Sequence, residues 1–141
     1  MNINSSVSAV SHIHSLAADF LINELKSLGF EDFSSSHGNI LFQLSKNNRM
    51  LMGEMAKAIN RDKSTTTVLV RKLERLGYLE ISSSENDKRS KYLSLTQKGL
   101  EYNKAMEKIS SHLQEKFYKG FSEDEKIIFC SFLERISNNF L

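Results

Sequence analysis

The chain has 141 residues, of which 40% are hydrophobic and 26% are charged, and its formal net charge is +2. This length fits one domain with a core of its own. No apolar stretch approaches the roughly 18 residues of a membrane helix, and the polar N-terminus has no cationic start, so we expect a cytoplasmic protein with no membrane partner. The single cysteine, Cys130, excludes an intrachain disulfide and agrees with a reducing compartment.

Three helices are predicted in the first part of the chain. The first covers residues 6–28, where apolar residues recur at spacings of three and four, and it ends near Gly29. Serines 34–36 can cap the second helix, and the third spans about residues 51–59. Asn60 then stands where a left-handed turn residue is needed, a conformation that Asn tolerates. The residues of the second and third helices that should face the core are Ile40, Leu41, Leu44, Met52, Met55 and Ala56.

A fourth helix opens at Asp62 or Ser64, because either side chain can accept a hydrogen bond from the first-turn amides. Its buried stripe is Thr66, Leu69, Val70, Leu73 and Leu76. The opposite face has short hydrogen-bonding groups at its start and cations further along, which suits base edges near the start and phosphates beyond. Val68 is apolar on this face, and we assign it to a thymine methyl group as a hypothesis. The predicted DNA-contacting residues here are Lys63, Ser64, Thr65, Thr67, Val68, Arg71, Lys72 and Arg75.

A hairpin follows the fourth helix. Gly77 ends the helix, and residues 78–82 and 91–95 read as strands by their alternation. The intervening residues 83–90 are too polar to pack, and we interpret them as a wing, so that residues 34–96 form a winged helix-turn-helix. An ordinary hairpin with a charged tip is the alternative. The predicted DNA contacts of the wing are Lys88, Arg89 and Lys91, with Arg89 entering the minor groove and Asp87 supporting it through a charge-assisted bond.

The basic character of the chain is local. Residues 60–91 hold eight Lys or Arg and five Asp or Glu, a balance of +3, against +2 for the whole chain. This distribution is expected when one face meets phosphates and the remainder stays near neutral. A solvated helix face with ordinary cations explains the charge alone equally well.

The two ends of the chain carry further amphipathic helices. Thr96 can cap a long helix over residues 97–118, and Ser122 with Glu125 forms a capping box for the last helix. Phe129, Leu133, Ile136 and Phe140 form its apolar stripe. We predict that residues 6–28 and 97–141 are dimerisation helices of a single domain, residues 1–141, that is mainly α with a small β-hairpin wing. The alternative is that these helices pack on their own subunit.

The motifs of the central region resemble those of the MarR family of transcriptional regulators. The segments that carry the resemblance are Met55-Ala56, Asp62-Lys-Ser-Thr65, Leu69-Val70, Leu73-Glu74, Gly77, Asp87-Lys-Arg89 and Leu93-Ser-Leu-Thr-Gln-Lys-Gly99. The resemblance implies a homodimer on a roughly palindromic operator, with recognition helices in successive major grooves and wings in flanking minor grooves. It also implies release by a small ligand or by oxidation. Val68 and Arg71 depart from the family pattern, so base preference is not carried over.

The sequence gives weaker indications of a redox, metal or small-ligand sensing site than of a DNA-binding region. Cys130 lies among apolar residues and is predicted to be a small core residue rather than a redox centre. His12, His14, His37 and His112 lack metal-binding spacing, so no metal site is predicted. Six rings either line a pocket for a small aromatic or other inducer, as in members that sense phenolic ligands, or belong to the core, which is the favoured interpretation. They are Phe20, Phe30, Phe33, His37, Phe42 and Tyr102.

The sequence therefore predicts a sequence-specific regulator, with repression as the expected mode. The alternative is a winged-helix interaction module or anti-regulator that does not use the fold on DNA. An enzyme is not expected, because no nucleophile with a base partner, no phosphate loop and no cofactor motif is found, so no catalytic residue and no cofactor is assigned.

Overall fold

The structure is a computed structural model that describes residues 2–31 and 33–141. Over these residues the chain forms a 3-10 helix (Ile3–Ser5), six α-helices and a three-stranded antiparallel sheet. The α-helices are α1 (Ser6–Ser27), α2 (Ser35–Lys46), α3 (Met52–Ala58), α4 (Lys63–Arg75), α5 (Gln97–Phe117) and α6 (Glu123–Asn138). The strands are β1 (Met50–Leu51), β2 (Leu79–Ser83) and β3 (Lys91–Leu95). The predicted fold class, mainly α with a small hairpin wing, is confirmed.

The sheet has one strand more than the sequence predicted. Its order is β1-β3-β2, and Leu93 of β3 lies opposite both Met50 of β1 and Ile81 of β2. Strand β1 contains two residues, too few to show an alternating pattern, which is why it was missed. It joins the helix-turn-helix directly to the wing.

Strand β2 begins at Leu79, one residue later than predicted, because Tyr78 belongs to the end of α4. The amide of Gly77, whose φ is +82°, donates to Glu74 O at 2.9 Å, and the amide of Tyr78 donates to Leu73 O at 2.9 Å. This pair of bonds is a Schellman motif, which satisfies carbonyls at the helix end and needs a left-handed residue at the glycine. It turns the Tyr78 side chain fully into the core.

The core lies between α2, α3, α4 and the sheet, and α5 and the end of α1 cover it. All six residues predicted to face inward from α2 and α3 are buried. In the stripe of α4, Thr66, Val70 and Leu73 are fully buried, whereas Leu69 and Leu76 are partly buried at its edge. Because this packing fixes one face of α4, its opposite face points to solvent.

Helix α6 extends away from this core and makes few contacts with it. Its predicted capping box is present: the Ser122 amide donates to Glu125 Oε2 at 2.7 Å, and the Glu125 amide donates to Ser122 Oγ at 3.3 Å. Most large apolar side chains of α6 and of the first half of α1 are exposed in the single chain, whereas Phe129 of α6 is half-buried against Phe117 and Tyr118. None of the helices within residues 2–31 and 33–141 is long and apolar enough to cross a membrane.

Candidate nucleic-acid interface

The start of α4 is fixed by Asp62, which resolves the choice between Asp62 and Ser64. Asp62 Oδ1 accepts from the Thr65 amide at 2.8 Å, and Asp62 Oδ2 accepts from the Thr65 hydroxyl at 2.7 Å. The hydrogen bond from the amide, followed by that from the hydroxyl, holds the pKa of the Asp62 carboxyl below its usual range. Asn60 precedes this cap with a φ of +53°, the left-handed turn that the sequence predicted.

The hydroxyl groups of the first turns are not equivalent. Thr65 donates to Asp62, and Thr67 donates to Lys63 O at 2.8 Å, so both retain only acceptor capacity toward a partner. Ser64 is exposed, and its hydroxyl makes no hydrogen bond within the described part of the chain. At the start of α4, Ser64 is therefore the hydroxyl free to donate as well as accept.

The outward face of α4 carries most of the residues assigned to it. Val68 is 71% exposed, and Arg71 and Arg75 are exposed beside it. The guanidinium of Arg71 is already engaged, since Nη1 lies 3.1 Å from Glu74 Oε2. Lys72 is half-buried and lies near the buried His37. Lys63 in the first turn and Arg75 in the last are thus the cations of this face that are both exposed and without an acidic partner in the described residues.

The wing is closed by hydrogen bonds to Asp87. Its Oδ1 accepts from the Arg89 backbone amide at 2.9 Å, and its Oδ2 accepts from the Ser90 hydroxyl at 3.0 Å. We expected this carboxylate to support Arg89, and it does so through the backbone rather than through the guanidinium. Because the carboxylate is occupied in this way, the exposed side chains of Lys88 and Arg89 remain free at the tip.

Two cations beside the wing are held against its strands. Lys91 is half-buried, and its Nζ donates to Ser83 Oγ at 2.8 Å across the hairpin. Arg49, which sequence reasoning missed, stacks its guanidinium 3.7 Å from the centroid of the Tyr92 ring. The pairing of β1 with β3 brings Arg49 and Tyr92 together, and no local pattern in the sequence predicts that pairing.

A polar cluster ties the α1–α2 connection to the end of α4. The Tyr78 hydroxyl donates to the Glu31 carboxylate, and Lys98 Nζ lies 3.0 Å from both Glu31 Oε1 and Leu76 O. Partial burial acts to raise the pKa of Glu31, but the bonds from Tyr78 and Lys98 outweigh it, and the pKa is lowered. Burial, followed by the bond to Glu31, raises the pKa of Tyr78. The cluster therefore holds a carboxylate against a neutral phenol and a lysine at the C-terminal end of α4.

A cavity of about 850 Å³ lies between α1, α2 and α5. Of the six rings considered for a pocket, Phe33, Phe42 and Tyr102 line it. The other three pack elsewhere: Phe30 stands edge-on to Tyr102, the His37 ring lies 5.6 Å from that of Phe33, and Phe20 is beneath Lys116. The sequence predicted Tyr102 of α5 but missed Met106 and Ser110, which follow it on the same helix at intervals of four residues.

The prediction that Cys130 is a core residue is wrong for the single chain. Cys130 is exposed, and its Sγ lies 3.5 Å from the Tyr118 hydroxyl. The error has a physical reason: α6 projects from the core, so apolar neighbours in sequence do not bury it. Within residues 2–31 and 33–141, no group of three or more His, Cys, Asp or Glu side chains is arranged to hold a metal ion.

Comparison with known proteins shows which family the central part of the chain is similar to. Residues 33–91, the span from Phe33 through the wing to Lys91, match the sequence model of the MarR family. Over this span the chain is similar to the MarR family. Two curated relatives are both HTH-type transcriptional regulators. YybA of Bacillus subtilis (strain 168), described as uncharacterized, is 24% identical over 120 residues, covering 84% of this chain and 80% of the relative. SarZ of Staphylococcus haemolyticus (strain JCSC1435) is 28% identical over 102 residues, covering 72% and 68%.

Solved structures share the MarR fold. The heme sensor protein PefR of Streptococcus agalactiae, in complex with heme, superposes with a TM-score of 0.81 at 21% identity, covering 97% of this chain and 95% of that one. A mutant of MarR from E. coli, complexed with operator DNA, gives 0.69 at 17% identity, covering 96% and 99%. The family match over residues 33–91 and both curated relatives point to transcriptional regulators.

Proposed function

We propose that this chain is a transcriptional regulator of the MarR type that acts as a homodimer on a pseudo-palindromic DNA operator and represses transcription there. The observation that carries the proposal is the outward face of α4, where Ser64, Val68 and Arg75 are exposed together beside a wing whose Arg89 is free. A helix of this kind fits the major groove, and the wing reaches the adjacent minor groove.

The roles of the side chains follow from their partners. Ser64 faces base edges, and the Val68 methyl groups meet a thymine methyl. Arg75 and Lys88 bind phosphates, while Arg89 enters the minor groove, where narrow A·T-rich stretches attract guanidinium groups. Arg71 reads a base only when its bond to Glu74 is exchanged for one to DNA, so we place it behind Arg75 in importance.

The homodimer is supported by apolar surface that the single chain leaves uncovered. The exposed residues are Val7, Val10, Ile13 and Leu16 of α1, Ile127, Ile128, Phe132, Leu133 and Ile136 of α6, and Phe140 and Leu141 after it. Large apolar side chains exposed on both terminal helices favour association, and two-fold symmetry is the commonest way for identical chains to bury them. A second copy of this chain is therefore the proposed occupant.

The cavity between α1, α2 and α5 supports release by a small ligand. Its walls come from α1 and α5, which we assign to the dimer, and from α2, which packs against α4. A ligand that binds one arrangement of these helices better than the other would shift the DNA-binding equilibrium by that difference in affinity.

The heme bound by PefR is not extended to this cavity. Tyr102 and Met106 offer atoms that ligate iron, but no cationic side chain lines the described walls to pair with heme propionates. The donor set therefore does not fit heme there.

Fluorescence anisotropy with duplex DNA from upstream of the gene tests the proposal, at near-physiological salt and with excess nonspecific competitor. We expect competitor-resistant binding of one dimer per site. The Arg89→Ala variant should bind more weakly, and its plot of log K against log salt should lose a slope of about 0.9 per wing engaged. Glu85→Ala, which removes a wing charge of the opposite sign, is the matched control and should not weaken binding.

Weak binding that competitor abolishes, on this DNA and on DNA selected from random sequence, would contradict the proposal. It would favour the winged-helix interaction module instead. An unchanged salt slope for Arg89→Ala would show that Arg89 does not contact the DNA, and the contacts proposed for α4 would still stand.

A further inference from the structure

The walls of the cavity carry almost no charge. Phe33, Phe42 and Met106 contribute apolar surface, and the polar contributors are mainly neutral serine and asparagine side chains. Among the described residues that line it, Glu107 is the one ionisable acid, and there is no lysine, arginine or histidine. Lys46 lies near the rim, but its Nζ is engaged 4.4 Å from the centroid of the Phe42 ring and is not part of the lining.

One buried side chain in this wall has a polar atom without a partner. Tyr102 is 3% exposed, and its hydroxyl makes no hydrogen bond within residues 2–31 and 33–141. The hydroxyl is on the cavity side of α2, because a Cβ added at Gly38, another lining residue, would lie 3.5 Å from it. The missing side chain of Gly38 thus leaves space in front of the hydroxyl.

The Tyr102 ring cannot easily turn away from this position. It packs edge-on against Phe30 and Phe33, with ring centroids 5.5 Å apart in each case, and against Tyr78 at 5.7 Å. Burial also raises the pKa of Tyr102, which keeps its hydroxyl protonated near neutral pH. The result is a fixed hydrogen-bond donor that faces an apolar space.

These features decide the charge of a suitable ligand. A carboxylate entering the cavity would lose water without gaining a cation, and it would approach Glu107, both of which oppose binding. A neutral ring system with a carbonyl or similar acceptor would satisfy the Tyr102 hydroxyl and cover the apolar wall.

We infer that the cavity takes an uncharged, largely apolar molecule with a hydrogen-bond acceptor for the Tyr102 hydroxyl, and that it discriminates against anions. This inference rests on the ligand-release part of the proposed function. A ligand on Phe33 and Tyr102 would also contact rings that pack against Tyr78, whose backbone amide donates to Leu73 O at the end of α4, and this packing connects the cavity to the DNA-facing helix.

Isothermal titration calorimetry on the full chain without DNA tests the inference with two isosteric probes, 2-naphthamide and 2-naphthoate, at pH 7.5. We expect the amide to bind at least about tenfold more tightly than the carboxylate. Tyr102→Phe keeps the ring packing and should weaken binding of the amide by about 2- to 10-fold. Glu107→Lys places a cation in the wall and should improve binding of the carboxylate relative to that of the amide.

Equal or tighter binding of the carboxylate would overturn the inference, as would failure of both probes to bind. An unchanged amide affinity in Tyr102→Phe, with the same circular dichroism spectrum as the parent, would overturn the role of the hydroxyl. DNA binding is measured separately by anisotropy. A negative calorimetry result therefore leaves the DNA-binding proposal intact, and a negative anisotropy result leaves the ligand inference intact.

Discussion

Val68 shows how a single side chain can link the fold to a choice of base. It is 71% exposed in the middle of a helix whose other outward residues are polar, so it has no role in the core. We expect that replacing a contacted thymine by uracil, which removes only the methyl group, costs the parent protein about 1 kcal/mol in binding. In Val68→Ala the same replacement should cost close to nothing. Competition anisotropy on matched operators measures both values.

A uracil penalty that is equal in the parent and in Val68→Ala would remove Val68 from base recognition. The neighbouring Thr67→Ala variant is a suitable control, because the Thr67 hydroxyl donates within its own helix. That variant should retain the full uracil penalty.

His37 predicts how stability depends on pH. Burial, and then the nearby positive charge of Lys72, lower the pKa of His37, and its Nε2 has no hydrogen-bond partner in the described structure. Below a pH of about 6.5 the unfolded chain takes up this proton more readily than the folded chain. The free energy of unfolding should therefore be highest above that pH and should fall as the pH is lowered through it.

Urea denaturation between pH 5 and 8 at one protein concentration measures this dependence. His37→Gln should flatten the decline below pH 6.5, whereas His112→Gln, which changes an exposed histidine, should leave it in place. If the free energy of unfolding declines equally in the parent and in His37→Gln, groups other than His37 cause the decline.

At the scale of elements, Gly99 fixes how α5 meets the end of α4. A Cβ at this position would lie 2.2 Å from Tyr78 O and 2.9 Å from Leu95 Cδ2, so the backbone would have to move. We expect Gly99→Ala to lower the free energy of unfolding by about 1–3 kcal/mol. Gly53→Ala, in open space on α3, should instead raise it by up to about 1 kcal/mol. Chemical denaturation followed by circular dichroism compares them, and equal effects would contradict the close approach.

The elements also show what sequence can and cannot predict. The six α-helices, the left-handed Asn60 and the capping box at Ser122 were predictable, because each depends on residues within a few positions of one another. The short β1, the stack of Arg49 on Tyr92 and the bond between Tyr78 and Glu31 depend on contacts between distant segments. The cavity was predicted in part for the same reason: Phe33, Phe42 and Tyr102 were identified from the sequence, but Met106 and Ser110, which complete the wall of α5, were not.

For the whole molecule, α6 tests the homodimer. Ile136 lies in its apolar stripe and is about half exposed in the single chain, whereas Ser131 lies on the other side of the helix. A glutamate in an apolar interface is desolvated without a partner, so Ile136→Glu should shift the chain toward monomer and weaken operator binding. Ser131→Glu should remain dimeric. Sedimentation equilibrium distinguishes the two, and a dimeric Ile136→Glu of unchanged affinity would place the interface elsewhere.

Selection of duplex DNA from a random library by the purified chain tests the central claim, namely that two copies of α4 and its wing read one operator, most directly. We expect enrichment of a two-fold symmetric sequence whose half-site centres are about one helical turn apart, flanked by A·T-rich positions for Arg89. Arg89→Ala should enrich the same half-sites with less preference at the flanks. A library that stays random after repeated rounds, or an enriched site without two-fold symmetry, would contradict it.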